Sequence, residues 1–364
     1  MWPDRRILEL FHIDVPILLA PMAGPGLSDL AVGVAEGGGL GSLPAAMLPP
    51  DQLRNELAAF RGRTARPIHL NFFCHTPPVP DAAREAAWRA RLAPYYRELG
   101  LDPDAPVKAA NRAPFDEALC RVVEEVRPEV VSFHFGLPDA ALLARVRAAG
   151  ATIVSSATTV AEARWLAERG CDAIIAQGAD AGGHRATFLA EPIAAVAHQP
   201  GTLSLVPQVV DAVDVPVIAT GGIADARGIA AAFALGAAAV QIGTAFLFCP
   251  EAKLPAPQRA ALRAAHDDAT AMTSVFTGRP ARGLVNRAMR ELGPLSPEAP
   301  AFPLAAAGLA PLRATAESAG SGDFSPLWSG QAAALGRELP AAELTRALAA
   351  ETLALLARGL ARAT

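Results

Sequence analysis

The chain has 364 residues and a formal charge of −4, and its basic residues are scattered, so it lacks the electrostatic footprint of a nucleic-acid or anionic-lipid binder. Such a length buries a large core; a (β/α)8 barrel takes about 250 residues and leaves roughly 110 for elaborations. Cys74, Cys120, Cys171 and Cys249 lie far apart with no zinc-ligand spacing, so they read as reduced packing thiols and no metal site is expected. Near the N-terminus, Glu9, His12 and Asp14 interrupt any apolar stretch that Arg5 and Arg6 could introduce as a signal peptide, and a cytoplasmic location is expected.

From residue 16 onward, short apolar runs alternate with helical segments, the pattern of βα units on a parallel sheet. The runs are Pro16–Ala23, Gly39–Pro44, Pro67–Phe73, Val130–Phe135, Thr152–Ser156, Ala173–Gln177, Pro216–Thr220 and Ala239–Phe246. Eight of them favour a closed barrel over an open sheet, so the expected fold class is α/β, a TIM (β/α)8 barrel. Helical stretches between them include Asp116–Val126, with Asp116 as its cap, and Ala140–Ala149, Val160–Arg169 and Ala226–Leu235. Residues 228–249 are apolar enough to suggest a membrane span, but Leu235-Gly236 reads as a helix end and Ala239–Leu247 as a buried strand, so none is expected.

Two regions break the rhythm. Residues 74–114 form an insertion after the third strand, with a helical segment over Asp81–Trp88 followed by Pro94-Tyr95-Tyr96. The chain after about Thr270 ends in a helix predicted over Ala341–Ala361. The expected organisation is a barrel over 1–269 carrying the 74–114 insertion, and a helical extension over 270–364 packing across the barrel mouth.

The working face of such a barrel is the carboxyl end of its strands, and the unusual residues collect there. Asn71, Gln177 and Gln241 sit in apolar strands and must either satisfy one another or face a polar ligand. Gly221-Gly222 and Gln241–Thr244, at the seventh and eighth strand ends, suit a phosphate held by backbone N–H groups. The most pointed segment is Ala176–Arg185, where a strand opens into a glycine-rich loop. Gly182 and Gly183 admit close backbone approach, and His184 can change protonation near neutral pH, as an active site needs; the alternative is a tight turn with an exposed histidine. His134 is either a hydrogen-bonded core histidine or a substrate contact, Asp180 caps its loop, and Trp328 packs the tail onto the barrel. Gly37–Gly41 follows a helix and precedes a strand, the reverse of a dinucleotide fingerprint, and no GxSxG elbow occurs. A phosphate-bearing cofactor in the barrel mouth remains.

Ala20-Pro21-Met22-Ala23-Gly24, Gly38–Ser42, Asn71-Phe72-Phe73, Ser132–Gly136, Gln177–Arg185, Ala219–Ile223, Gln241–Thr244, Phe276–Pro280 and Leu327–Gln331 occur in an order that resembles the FMN-dependent nitronate monooxygenase family, once called 2-nitropropane dioxygenases. The resemblance implies FMN held by the backbone of Pro21, Met22 and Ala23, by Asn71, Gln177, Gly182 and Gly222, and by Gln241, Ile242, Gly243 and Thr244, with His184 catalytic above it. It implies oxidation of nitronates, and potentially of neutral nitroalkanes, by O2 to a carbonyl compound and nitrite. His184 would either remove the α-proton of a nitroalkane or hold the nitronate as imidazolium. Two other readings stay open: an NAD(P)H-dependent flavin reductase of the same fold acting on an enoyl thioester or quinone, and a non-catalytic FMN-binding protein. The chain departs from the family pattern at Phe72-Phe73-Cys74 and at Ala186, where a glycine commonly follows His-Arg. Its only tyrosines are Tyr95 and Tyr96, so any phenolic substrate contact would come from the insertion.

Overall fold

In the computed structural model, which describes residues 1–108 and 112–359, eight parallel strands form the barrel wall. They are β1 (Ile17–Leu19), β2 (Gly41–Leu43), β3 (Ile68–Phe73), β4 (Val130–His134), β5 (Thr152–Ala157), β6 (Ala173–Gln177), β8 (Val217–Thr220) and β9 (Ala239–Ile242), paired in the order β1-β9-β8-β6-β5-β4-β3-β2. A parallel bridge between Leu18 and Leu40 closes the circle, with the Leu19 N–H donating to the Leu40 carbonyl at 2.9 Å. These strands are buried along nearly their whole length, which is why they read as continuous apolar runs rather than alternating ones.

The expected strands are all present; six are shorter than expected, β6 keeps its bounds and β5 runs one residue further, to Ala157. The last ends at Ile242, because Thr244–Phe248 curls into a 3-10 turn. Residues 228–249 are thus divided among a helix, β9 and that turn, and no helix among the described residues is long and apolar enough to cross a membrane. After several strands the chain re-enters a helix through a side-chain cap that accepts a backbone N–H: Asp116 from Leu119, Asp139 from Leu142, Thr159 from Glu162 and Asp225 from Gly228.

The insertion helix, Ala82–Glu98, runs ten residues beyond its predicted end and through Pro94. It continues because Trp88, Leu92 and Tyr96 lie on one face and pack against the helix Ala305–Ser318, forming a second core outside the barrel. Leu92 fits because Gly308 has no side chain; a Cβ there would lie 2.9 Å from Leu92 Cδ1. The Tyr96 hydroxyl donates to the Gly308 carbonyl at 2.6 Å, and Tyr95 packs on Phe324 and Arg287, so both phenols serve this core instead of a substrate.

The tail divides between two places. Strands β10 (Thr270–Thr273) and β11 (Ala281–Leu284) pair antiparallel, and β11 then pairs with β7 (Gly183–His184), a two-residue strand in the loop after β6. Sequence periodicity could not show this sheet, since β7 is too short to have a period. The last helix, Ala341–Arg358, packs against the outer helices Ser28–Glu36 and Ala226–Ala234, and Ala341, Leu344, Leu348 and Ala349 join the barrel core. It completes the ring of outer helices, so the expected extension over the mouth does not include it; residues 360 and 361 of its predicted span lie outside the described residues.

Leu348→Ala removes a fully buried side chain from that seam and is expected to cost about 2–5 kcal/mol, read as a lower urea midpoint at unchanged slope. An unchanged midpoint would show that the helix does not seal the ring.

Candidate active site

The loop between β6 and Thr202 carries His184, and its backbone is held from three directions. The His184 carbonyl accepts from Gln177 Nε2 at 3.0 Å and from His134 Nε2 at 3.2 Å. Gln177 Oε1 in turn accepts the Ala186 N–H at 2.9 Å. On the far side, β11 pairs with Gly183 and His184, and the Arg185 N–H donates to the Pro280 carbonyl at 2.9 Å.

Two buried ionic side chains continue the clamp. Arg185, 1% exposed, donates to the carbonyls of Gln177, at 2.8 Å, and Gly178, and to the side chain of Gln199; burial pushes its pKa down to about 9. Glu162, also 1% exposed, accepts from the Thr158 N–H and hydroxyl, both at 2.7 Å, and from the N–H groups of Phe188 and Leu189 at 2.7 and 3.3 Å. A carboxylate in the first turn of Val160–Glu168 is favoured by the helix dipole as well. Arg279 donates to the Thr187 carbonyl and lies 3.9 Å from the centre of the Phe135 ring. Phe135 itself has φ +72, a left-handed backbone that a bulky residue adopts only under constraint.

The His184 ring sits in an aromatic cage, with ring centres of Phe302, Trp328, Phe135 and Phe73 at 5.3, 5.4, 6.2 and 6.4 Å. Its Nε2 lies 2.9 Å from Thr277 Oγ1. Burial, together with the charges of Arg112 and Arg279 and the neighbouring imidazoles, holds its pKa well below the ordinary histidine value. His134 is pushed down to about 3 by burial and Arg279, and His75 to about 4, again chiefly by burial. All three rings are neutral at pH 7.

The remaining expected residues fall on adjoining loops. Gly243 lies against Ala20 and Met22, a Cβ there meeting their atoms at 3.2 and 3.5 Å. Thr244 Oγ1 accepts the Gly330 N–H at 2.9 Å, and a Cβ on Gly182 would lie 2.5 Å from that same nitrogen. Gly182 is therefore demanded by the tail segment Ser329-Gly330. Gly222 has φ +66, and a Cβ there would lie 3.1 Å from that of Asp180, whose carboxylate caps the helix Thr202–Val210 through the Thr202 N–H at 2.6 Å and hydroxyl at 2.8 Å.

The three strand amides do not pair with one another. Asn71 Nδ2 donates to Ser132 Oγ at 2.8 Å, across the register pair that joins β3 and β4. Gln177 spends its oxygen and one hydrogen on the His184 loop. Gln241 Oε1 is buried with no partner among the described residues. His134 uses its Nε2–H on a main-chain carbonyl, which makes it a support of the loop. Nothing local in the sequence marks His75 and Phe302, and Thr277 and Arg279 stand out only as part of the segment Phe276–Pro280, with no role assigned; all four reach the site from the insertion and the tail, whose docking is tertiary. His75 is 5% exposed, 4.8 Å from Phe302 ring to ring, and neither ring nitrogen has a hydrogen-bond partner among the described residues.

A (β/α)8 barrel with a clamped neutral imidazole among strand-end loops is the architecture of a barrel enzyme. The profile of the nitronate monooxygenase family matches residues 4–351. A nitronate monooxygenase of Pseudomonas aeruginosa is 41% identical over 348 residues, covering 95% of this chain and 98% of that protein. One of Paraburkholderia phytofirmans is 41% identical over 350 residues, covering 95% and 94%. Among solved structures, nitroalkane oxidase from Streptomyces ansochromogenes has a TM-score of 0.87 at 39% identity, covering 96% of this chain and 98% of that one, and FabK from Thermotoga maritima has 0.75 at 27%, covering 98% of each. The chain belongs to the nitronate monooxygenase family, and it is an enzyme.

The buried neutral histidines make stability depend on pH. His69, whose Nε2 lies 2.6 Å from Ser132 Oγ, is pushed down to about 3 by burial, as His134 is, whereas in the unfolded chain each titrates near about 6.5. Between those values the unfolded state binds more protons, so stability falls as pH drops below about 6.5, by up to about 1.4 kcal/mol per pH unit for each histidine. Urea midpoints measured from pH 7.5 to 5 are expected to fall, and to fall less steeply in His69→Gln. A midpoint constant over that window contradicts neutral burial.

Proposed function

We propose that the barrel mouth binds FMN and oxidises nitronates with O2 to a carbonyl compound and nitrite. The observation that carries this reading is the neutral His184 imidazole, caged by aromatic rings beside amide-bearing strand ends, in a chain of this family. The residues fit the cofactor. A flavin ring offers an imide N–H and several acceptor atoms, and Gln241 Oε1 is a buried acceptor in need of a donor. Asn71 keeps its carbonyl oxygen, and Gln177 one N–H, free of partners among the described residues. Backbone N–H groups around Gly222 and Gly243-Thr244, with the backbone of Pro21, Met22 and Ala23 alongside, suit the phosphate end without a lysine.

When bound, FMN supplies the electron-accepting chemistry. The protein's own part is to bind and orient the substrate and to handle one proton. A neutral His184 can take the α-proton of a nitroalkane; its depressed pKa keeps the ring unprotonated across neutral pH while making it a weaker base. Arg112 and Arg279 add positive potential that favours the resulting anion without an imidazolium being present beforehand. A preformed nitronate needs no such transfer.

With nitronate as substrate, the protein is expected to consume O2 and release nitrite without NAD(P)H, and denaturation should release FMN into the supernatant. His184→Asn should lower turnover of neutral nitroalkane by roughly 10²- to 10⁴-fold and turnover of preformed nitronate far less. Equal loss on both substrates would assign His184 to anion binding. A protein that takes up no FMN would overturn the proposal.

A further inference from the structure

We infer that Thr277 is a positioning residue that holds His184 as its Nε2–H tautomer, so that Nδ1 is the atom that takes the proton. The inference rests on the proposed role of His184 as base and goes beyond it in assigning the atom and its orienting partner.

The backbone of His184 is fixed by Gln177, His134 and β11, but those contacts leave the side chain free to rotate. Thr277 Oγ1, 2.9 Å from Nε2, is the one described polar partner of the ring; every other close neighbour is an aromatic face or edge. Thr277 is buried in the turn between β10 and β11, the segment whose pairing with β7 also places His184.

A threonine hydroxyl has one hydrogen to give. The Arg279 carbonyl lies 3.4 Å from Thr277 Oγ1 and has no other donor among the described residues. If Thr277 gave its hydrogen to Nε2, that carbonyl would lose its donor, and Nδ1–H would have no acceptor among the described residues. If Thr277 gives it to the carbonyl, across a long 3.4 Å contact, its lone pair accepts Nε2–H at 2.9 Å and only the Nδ1 lone pair is left without a partner among the described residues. The chain Nε2–H to Thr277 Oγ1, and Thr277 O–H to Arg279 O, is the arrangement that leaves no donor stranded.

This matters for the chemistry because the usual orienting partner of a catalytic histidine is a carboxylate, which would raise its pKa. A hydroxyl fixes the tautomer without adding charge, consistent with a base kept neutral in an apolar cage. In the transfer, the substrate Cα–H bond breaks, its electron pair forms the C=N bond of the nitronate as the N=O π pair moves onto a nitro oxygen, and the proton forms a new N–H bond with the Nδ1 lone pair. The resulting imidazolium keeps its Nε2–H on Thr277.

The test is 15N NMR of the histidine-labelled holoenzyme, with the His184 signals assigned by their absence in His184→Asn. Wild type is expected to show protonated Nε2 and unprotonated Nδ1. Thr277→Val should give mixed tautomers and lower turnover of neutral nitroalkane by roughly tenfold to a hundredfold, with a smaller loss on preformed nitronate. Thr277→Ser should restore both the spectrum and the rate. A wild-type spectrum with protonated Nδ1, or a Thr277→Val enzyme with wild-type spectrum and rate, overturns the inference. The spectrum decides the tautomer even if His184→Asn turns over nitroalkane at the wild-type rate, the result that would instead remove His184 from the base role.

Discussion

The carbonyl oxygen of His184 is the point through which the site is assembled. It takes hydrogen bonds from Gln177 on β6 and His134 on β4, so two barrel strands fix the height and direction of one loop. Each such bond contributes about 0.5–1.5 kcal/mol net, but leaving a buried partner unmet would cost about 1–3 kcal/mol, so the arrangement resists loosening. Everything beyond it in the loop follows from that anchor: Ala186 returns to Gln177, Arg185 stitches the strand end, and Phe188 hangs from Glu162. A site held within a fraction of an ångström by side chains of the scaffold is the precondition for any proton transfer from a loop.

The electrostatics follow from the same packing. The centre gathers His75, His134, His184, Arg112 and Arg279 under aromatic cover. Crowding basic groups in low dielectric favours their neutral forms where deprotonation is accessible, which the imidazoles accept and the guanidiniums resist. The outcome is a neutral base beside residual positive charge, an environment suited to a neutral acid that becomes an anion. The acid lability expected of the fold and the chemistry expected of the site have one cause.

Much of this was legible in the residues. The barrel was, because eight buried parallel strands leave eight apolar runs; the strand-end amides and the glycine-rich loop before His184 stood out as polar or flexible residues where apolar ones are the rule. Gln177 was legible as a residue needing partners, but those partners turned out to include the His184 and Ala186 backbone, a choice that only the folded loop decides. His134 carried two readings, and the geometry gives its Nε2 to the loop. The insertion and the tail were legible as interruptions with helices of their own and two family segments, Phe276–Pro280 and Leu327–Gln331, but not as contributors to the site. Their contributions, His75, Thr277 and Phe302, depend on Trp88 and Tyr96 finding the helix Ala305–Ser318 and on β11 finding a two-residue strand, contacts separated by about a hundred residues or more of chain. The final helix was read as cover because it comes last, whereas its apolar face matches the gap in the helical ring.

The most direct test of the central claim, that this mouth oxidises nitronates through bound flavin, is anaerobic mixing of the as-purified protein with nitronate, NADH or NADPH, following the flavin absorbance. The account expects nitronate alone to bleach the flavin rapidly, with neither nicotinamide doing so at a comparable rate. Rapid bleaching by NADPH, with none by any nitronate, would contradict it and make the protein a reductase of the same fold.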